Sequence, residues 1–287
     1  MLARMSVRSL RNRIADEALR RAYSAMPDYD RSRYRFNGYA YKRFLIALLE
    51  AFSGPSVPDQ TTDIGSVLRG WRVLDVGAGR GILVLAIREL GAEVVALERH
   101  AFDHSVTDMF REGNEEEILR IWHAHGVEPL IRDLNDLAAF VPAASFDAVV
   151  SMEVIEHLRE PKRLVEGMVH AVKPGGHVFV ATPNYGRFHA RLRLLFGKNP
   201  KLDLEPFYRL GADGFVGHWR EYLPDELAAM LRWGGLTNVR VTTFCDPWYP
   251  LSKGCSFYLL RQTFTHLASY LIPSARIELF AIARKPI

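Results

Sequence analysis

Arg72-Val-Leu-Asp-Val-Gly-Ala-Gly-Arg-Gly81 decides how this chain is read. Its first half has the composition of a buried strand, with Val73, Leu74 and Val76 apolar. Gly77, Gly79 and Gly81 then turn the chain into Ile82-Leu-Val-Leu-Ala-Ile87, which reads as a helix. A strand, a glycine turn and a helix open a nucleotide-binding α/β unit. Glycine suits the turn because a side chain would block a ligand lying against the backbone. Spacing then selects among ligands. A dinucleotide site needs G-x-G-x-x-G, whose third glycine would fall on Ile82. The run here is G-x-G-x-G, preceded by Asp75.

Beyond it, strand and helix alternate. Further strands are expected at 93–97 (ending at Glu98), 127–131, 146–150, 177–181, 238–244 and 276–283. Helices are expected at 81–90, 112–123, 164–172 and 224–233, with Gly91 and Gly234-Gly235 as stops. Lys173-Pro-Gly-Gly176 reads as the turn into the fifth strand. Strands spaced by helices imply a parallel sheet covered on both faces. The expected fold is α/β: a Rossmann-like, seven-stranded, mostly parallel sheet with helices on both faces. Two helical insertions, at about 185–221 and 246–275, interrupt the main domain, 69–287. Residues 1–68 are expected to form an N-terminal helical cap.

Within that cap, Arg4, Arg8, Arg11, Arg13, Arg20 and Arg21 precede or flank the first acid, Asp16. A transit peptide or a membrane-surface helix would have this pattern. So would a helix packed by one face with its arginines in water, which is the expected form. Basic and aromatic residues interleave over 29–36, as they do in nucleic-acid binders, but also in a cap whose aromatics fill core. Pro55, Pro58 and the polar run 59–63 mark a linker.

Composition excludes little. Of 287 residues 48% are apolar and 24% charged, as in an ordinary globular chain. A net charge of +4 permits an acidic partner without requiring one. Cys245 and Cys255 have no metal-type spacing, and reduced thiols in a cytoplasmic protein are the simplest account. No apolar run approaches the ~20 residues of a membrane span, so any membrane contact is expected to be peripheral.

Over roughly residues 70–245, and again in the last strand, the chain resembles the class I S-adenosylmethionine-dependent methyltransferases. Asp75 with Gly77-x-Gly-x-Gly81 is similar to their first motif. Glu98 stands where the family places an acid on both ribose hydroxyls, and a carboxylate can accept two hydrogen bonds from a vicinal diol. Asp133-Leu134 matches the pair that meets the adenine. Phe146-Asp-Ala-Val-Val150 and Val172-Lys-Pro-Gly-Gly-His-Val-Phe-Val180 match the fourth strand and the entry to the fifth. The resemblance implies S-adenosylmethionine bound by Asp75, Gly77, Gly79, Gly81, Glu98, Asp133, Leu134, Met152 and Glu153.

A narrower likeness rests on Glu153-Val-Ile-Glu-His-Leu158 and Gly217-His-Trp-Arg-Glu-Tyr222. These resemble the ubiquinone-biosynthesis O-methyltransferases and many small-molecule or sugar methyltransferases. Over the first motif they also resemble the small-RNA 2′-O-methyltransferases. The implied activity is O-methylation of a small-molecule or lipid-linked acceptor of quinone or sugar type. The alternatives are an RNA 2′-O-methyltransferase-like enzyme and a cofactor-binding protein without activity. No dedicated RNA module is visible, so nucleic acid is not the expected partner.

Methyl transfer is an in-line displacement at a carbon activated by a sulfonium, and the protein supplies position. A hydroxyl acceptor must also lose its proton, so a base near neutrality helps. His157, His218 and His189 are the candidates, with His157 and His218 assigned the catalytic role. Glu153, Glu156 and His157 fall within five residues, and with His218 they could bind Mg²⁺ or Mn²⁺. The plainer expectation is no metal, with a histidine serving the acceptor directly. Either way both imidazoles should share one cleft, because loops leaving neighbouring strands at their carboxyl ends lie together. In the insertions, Tyr185, Phe188, Leu192, Leu195 and Phe196 fall on one helical face, with Arg187, Arg191, Arg193 and Lys198 around them. Residues 257–271 repeat apolar positions at spacings of three and four. Such helices form core, or a lid for an apolar or lipid-linked acceptor.

Overall fold

Val73, Leu74 and Val76 are all buried, although successive side chains of a strand point to opposite faces. That is satisfied only by a sheet covered on both sides. The computed structural model describes residues 6–26, 38–53, 63–98, 114–200, 204–205, 207–209, 217–245, 267 and 270–287. Its helices include α1 (Val7–Ala25), α2 (Gly38–Ser53), α3 (Ile82–Glu89), α4 (Asn114–Ala124), α5 (Leu137–Phe140), α6 (Pro161–Ala171), α7 (Phe188–Leu195) and α8 (Pro224–Trp233). The strands are β1 (Arg72–Val76), β2 (Glu93–Glu98), β3 (Glu128–Ile131), β4 (Phe146–Met152), β5 (Val172–Pro183), β6 (Thr237–Phe244) and β7 (Glu278–Arg284).

They form one seven-stranded sheet in the order β3-β2-β1-β4-β5-β7-β6. β1 to β5 are parallel, and β7 runs antiparallel to both β5 and β6. The chain builds outward from β1 through β2 to β3, then returns to lay β4 on the other side of β1. In open α/β sheets the crevice at such a reversal, beyond the carboxyl ends of the strands, is where ligands bind.

One face of the sheet presents Val73, Val94, Ala96, Ala148, Val150 and Phe179 to α1, α2, α3 and α4. The other presents Leu74, Val76, Val95, Val149, Val178 and Val180 to α6 and α8. α1 buries Leu10, Ile14, Ala15, Ala18, Leu19 and Ala22, a stripe at helical spacing, and packs on α3 and α2. Arg8, Arg13, Arg20 and Arg21 face outward, where Arg20 and Arg21 both pair with Glu17, whereas the Arg11 side chain is largely buried. Among the described residues no helix is long and apolar enough to cross a membrane.

Two expectations need correction. The fifth strand begins at Val172, not after the Lys173-Pro-Gly-Gly176 turn. Val172 already pairs with Phe146, and the register then shifts so that His177 meets Ala148. The intervening residues form a bulge in which Gly175 has a φ of +75°. The first insertion holds a shorter helix than expected, α7, and its apolar end faces outward. Leu195 and Phe196 are 76% and 72% exposed, so they are not core. The basic-aromatic run at 29–36, most of the linker, and all of 257–271 but Leu267, Tyr270 and Leu271 lie outside the described residues.

Candidate active site

The carboxyl ends of β1 to β4 carry nearly all the residues singled out above. Leaving β1, the N–H groups of Gly77 and Ala78 donate to the Leu97 carbonyl of β2, at 2.8 and 3.1 Å. This folds the glycine turn over the end of β2. There the Gly79 N–H donates to Glu98 Oε2 at 2.7 Å. The three glycines all have positive φ, but they differ in their surroundings. A Cβ on Gly81 would stand 2.1 Å from Nε1 of Trp122, so this glycine lets the turn close against α4. A Cβ on Gly79 would meet nothing of the protein within 4 Å. The open backbone beside Gly79 is the kind of surface a ligand lies on.

Asp75 is buried on β1, and burial, with the Glu98 charge second, pushes its carboxyl up to about 7. Asp133 and Leu134 follow β3; Asp133 is exposed and Leu134 buried. Half-buried Met152 ends β4, and the exposed Glu153 follows in the left-handed region, at a φ of +57°. The turn there tucks Val154 beneath Gly77. The nine residues expected to face the cofactor thus occupy four consecutive strand ends.

The histidines lie just past the end of β4. A 3-10 turn, Ile155–His157, follows β4, and the loop 217–222 docks on it. Docking is through backbone: Trp219 N–H donates to the Glu156 carbonyl at 2.7 Å and Arg220 N–H at 3.3 Å. His157 and His218 meet edge to face, with ring centroids 4.7 Å apart. Glu156 lies beneath them. One ligand atom from each of Glu156, His157 and His218 falls within 4.8 Å of the others. Glu153 is not in this group, and neither is His189, which sits half-buried on α7.

Glu156 is fully buried. Thr182 Oγ1 donates to its Oε2 at 2.8 Å, whereas Oε1 has no hydrogen-bond partner and stands 3.9 Å from His157 Nε2. Burial, then the Glu153 charge, pushes its carboxyl well above the ordinary range. Glu221 behaves oppositely. Burial disfavours its charge, but hydrogen bonds with His218 and Arg187 prevail and hold it at about 2. Sequence reasoning did not single out Thr182, Arg187 or Glu221. Glu221 was within sight of it, three residues after His218 in the same motif.

A methyltransferase-domain family model matches residues 16–241. Ubiquinone biosynthesis O-methyltransferase of Xylella fastidiosa (strain M23) is 34% identical over 216 residues, covering 72% of this chain and 76% of that protein. The protein of the same name from Xanthomonas campestris pv. campestris (strain B100) is 32% identical over 189 residues, covering 63% of this chain and 69% of that one. A crystal structure of a SAM-dependent methyltransferase from Archaeoglobus fulgidus superposes with a TM-score of 0.53 at 16% identity, covering 90% of this chain and 100% of that one. That likeness shows the fold alone. The chain belongs to the methyltransferase-domain family and is an S-adenosylmethionine-dependent methyltransferase.

Proposed function

We propose that the enzyme methylates a hydroxyl oxygen of a quinone-type, lipid-linked ring acceptor. The observation that carries this is the meeting of His157 and His218 at the end of β4, next to the glycine turn. The names of the curated relatives support a quinone-type acceptor.

S-adenosylmethionine would lie along the ends of β1 to β4. The Gly77–Gly81 turn and Asp75 would hold its amino acid end, Glu98 its ribose, and Asp133 and Leu134 its adenine, with Met152 and Glu153 flanking it. The open space at Gly79, beside a carboxylate already fixed by the turn, fits this group. When bound, it supplies an electrophilic methyl carbon. The chain's own residues then fix the acceptor oxygen and take its proton. His157 and His218 would do so, and hydrogen bonds to the buried Glu156 support the turn that carries His157.

Asp75 gives this reading a pH dependence. Its carboxyl is neutral below about 7 in the free protein. A cationic cofactor favours the ionised form, so affinity should rise as pH passes upward through that value. Calorimetry across this range should show the rise for the wild type and a flat profile for Asp75→Asn.

The same three side chains can hold a divalent cation. Glu156 Oε1 is a buried carboxylate oxygen lacking a hydrogen-bond partner, beside two imidazoles. Such an orphaned atom costs free energy that a cation would offset. Two imidazoles with one carboxylate suit Mn²⁺ better than Mg²⁺. Activity lost on chelation and restored by Mn²⁺ would support a bound cation. Activity indifferent to chelators would leave the histidines as the acceptor's base alone.

A lipid-linked acceptor fits the surface around α7. Leu194, Leu195 and Phe196 are exposed at its end, and Tyr208, Tyr270 and Leu271 are exposed elsewhere in the two insertions. Arg191 joins the two insertions by donating to the Ser274 carbonyl and hydroxyl, both at 3.0 Å. In the first insertion the Phe207 ring contacts that of Trp219, next to His218, with centroids 5.8 Å apart. With Arg191 and Lys198 exposed on and beside α7, this surface suits an anionic bilayer. Replacing Leu195 and Phe196 by serine should leave the fold intact, abolish flotation with anionic vesicles, and raise KM for a long-tailed acceptor only. No flotation of the wild type would favour a water-borne acceptor.

The function itself is tested by offering purified enzyme and labelled S-adenosylmethionine a panel: a prenylated catechol, a sugar, and a small RNA. Transfer to the catechol alone is expected. Transfer to RNA, weakening steeply with salt, would overturn the acceptor class.

A further inference from the structure

His218 stands on a loop segment that precedes α8, so its side-chain contacts must fix its ring. Nδ1 lies 3.0 Å from Glu221 Oε1. Glu221 is held from its other side by Arg187, both of whose terminal nitrogens donate to the carboxylate, Nη2 to Oε1 at 3.2 Å. The pair is enclosed, with side chains 19% and 6% exposed for Arg187 and Glu221. A carboxylate clasped by a guanidinium accepts hydrogen bonds and donates none. The proton between it and His218 therefore sits on Nδ1. In a neutral ring this leaves the lone pair on Nε2, on the side away from Glu221.

The clasp is itself anchored. Arg187 is the N-cap of α7, and its Nη1 also donates to the Asn184 carbonyl at 3.1 Å. Asn184 is buried, and its Nδ2 donates to the carbonyls of Ser274 and Arg276, at 3.0 and 2.7 Å. Two-point clasping fixes a carboxylate in rotation as well as in position, which one hydrogen bond cannot do.

We infer that Arg187 and Glu221 are positioning residues that lock His218 in its Nδ1–H tautomer, presenting Nε2 to the acceptor hydroxyl or to a cation. The consequence for catalysis rests on the role given to His218 above; the tautomer does not. Carboxylates that orient a functional imidazole commonly contribute about 10–100-fold to activity or metal affinity.

The test is long-range proton–nitrogen NMR of ¹⁵N-labelled protein, well above the ordinary histidine pKa, with the His218 signals assigned by their loss in His218→Asn. The wild type should show Nδ1 protonated and Nε2 bare. Glu221→Gln retains an acceptor oxygen and should keep part of that preference. Glu221→Leu should lose it, and kcat should fall about 10–100-fold with KM for S-adenosylmethionine unchanged. Because Glu221→Leu strands the Arg187 charge and can cost folding, Arg187→Met/Glu221→Leu removes both charges and should show the same tautomer change. An Nε2–H or doubly protonated His218 in the wild type would overturn the inference, as would an unchanged tautomer in both Leu variants. A tautomer that changes while kcat holds would support the positioning and overturn the role of His218 in methyl transfer.

Discussion

Alanine at His157, or at His218, should lower kcat by about 10²–10⁴-fold while S-adenosylmethionine binds as before. The two rings touch, and both stand past the end of β4, one strand end beyond the turn at β1. Neither lies in that turn, so the cofactor surface should survive either change. If, as proposed, they act on one oxygen, the double variant should fall little below the worse single one, as groups working as a unit are non-additive. Single-turnover kinetics with calorimetry separates the terms. A loss carried by cofactor affinity would place these rings on the wrong ligand. Full activity in either variant would remove that ring from the chemistry.

Gly79→Leu should abolish S-adenosylmethionine binding and leave the protein folded. A side chain there enters open space and touches nothing of the protein within 4 Å. Its φ of +54° costs a leucine roughly 1–2 kcal/mol, a modest drop in melting temperature. At Gly81, by contrast, the new Cβ would collide with Trp122 and threaten the fold itself. Thermal melts beside binding isotherms distinguish the two. Gly79→Leu protein that still binds the cofactor would mean that the ligand lies elsewhere.

The central strands of the sheet were legible because each is a short apolar run, and a doubly covered strand shows no polar alternation to obscure it; the edge strand β6 instead alternates exposed and half-buried positions. The positions of Asp75, Gly77, Gly79, Gly81 and Glu98 at or just past the ends of β1 and β2 were legible for a related reason, since those strand ends are predictable; their part in holding the cofactor is the proposal above. His157 and His218 were brought together by topology, since one follows β4 and the other ends the excursion from β5. What spacing could not give was the environment of Glu156. Its lone Oε1 depends on where Thr182 and the 217–222 loop come to rest, and neither is local in sequence. The clasp of Arg187 on Glu221 spans 34 residues, and Arg187 read simply as a charged position on a helix. The α7 face read as an apolar stripe, and only packing could say that its far end stays in solvent.

The most direct test of methyl transfer to oxygen is the carbon NMR spectrum of the product made with S-adenosylmethionine carrying a ¹³C methyl group. With a prenylated catechol as acceptor, a single new signal in the aryl methoxy range is predicted, absent without enzyme and lost in the His157→Ala protein. A signal in the C-methyl or N-methyl range would contradict the account, as would label recovered only as unreacted cofactor across every acceptor offered.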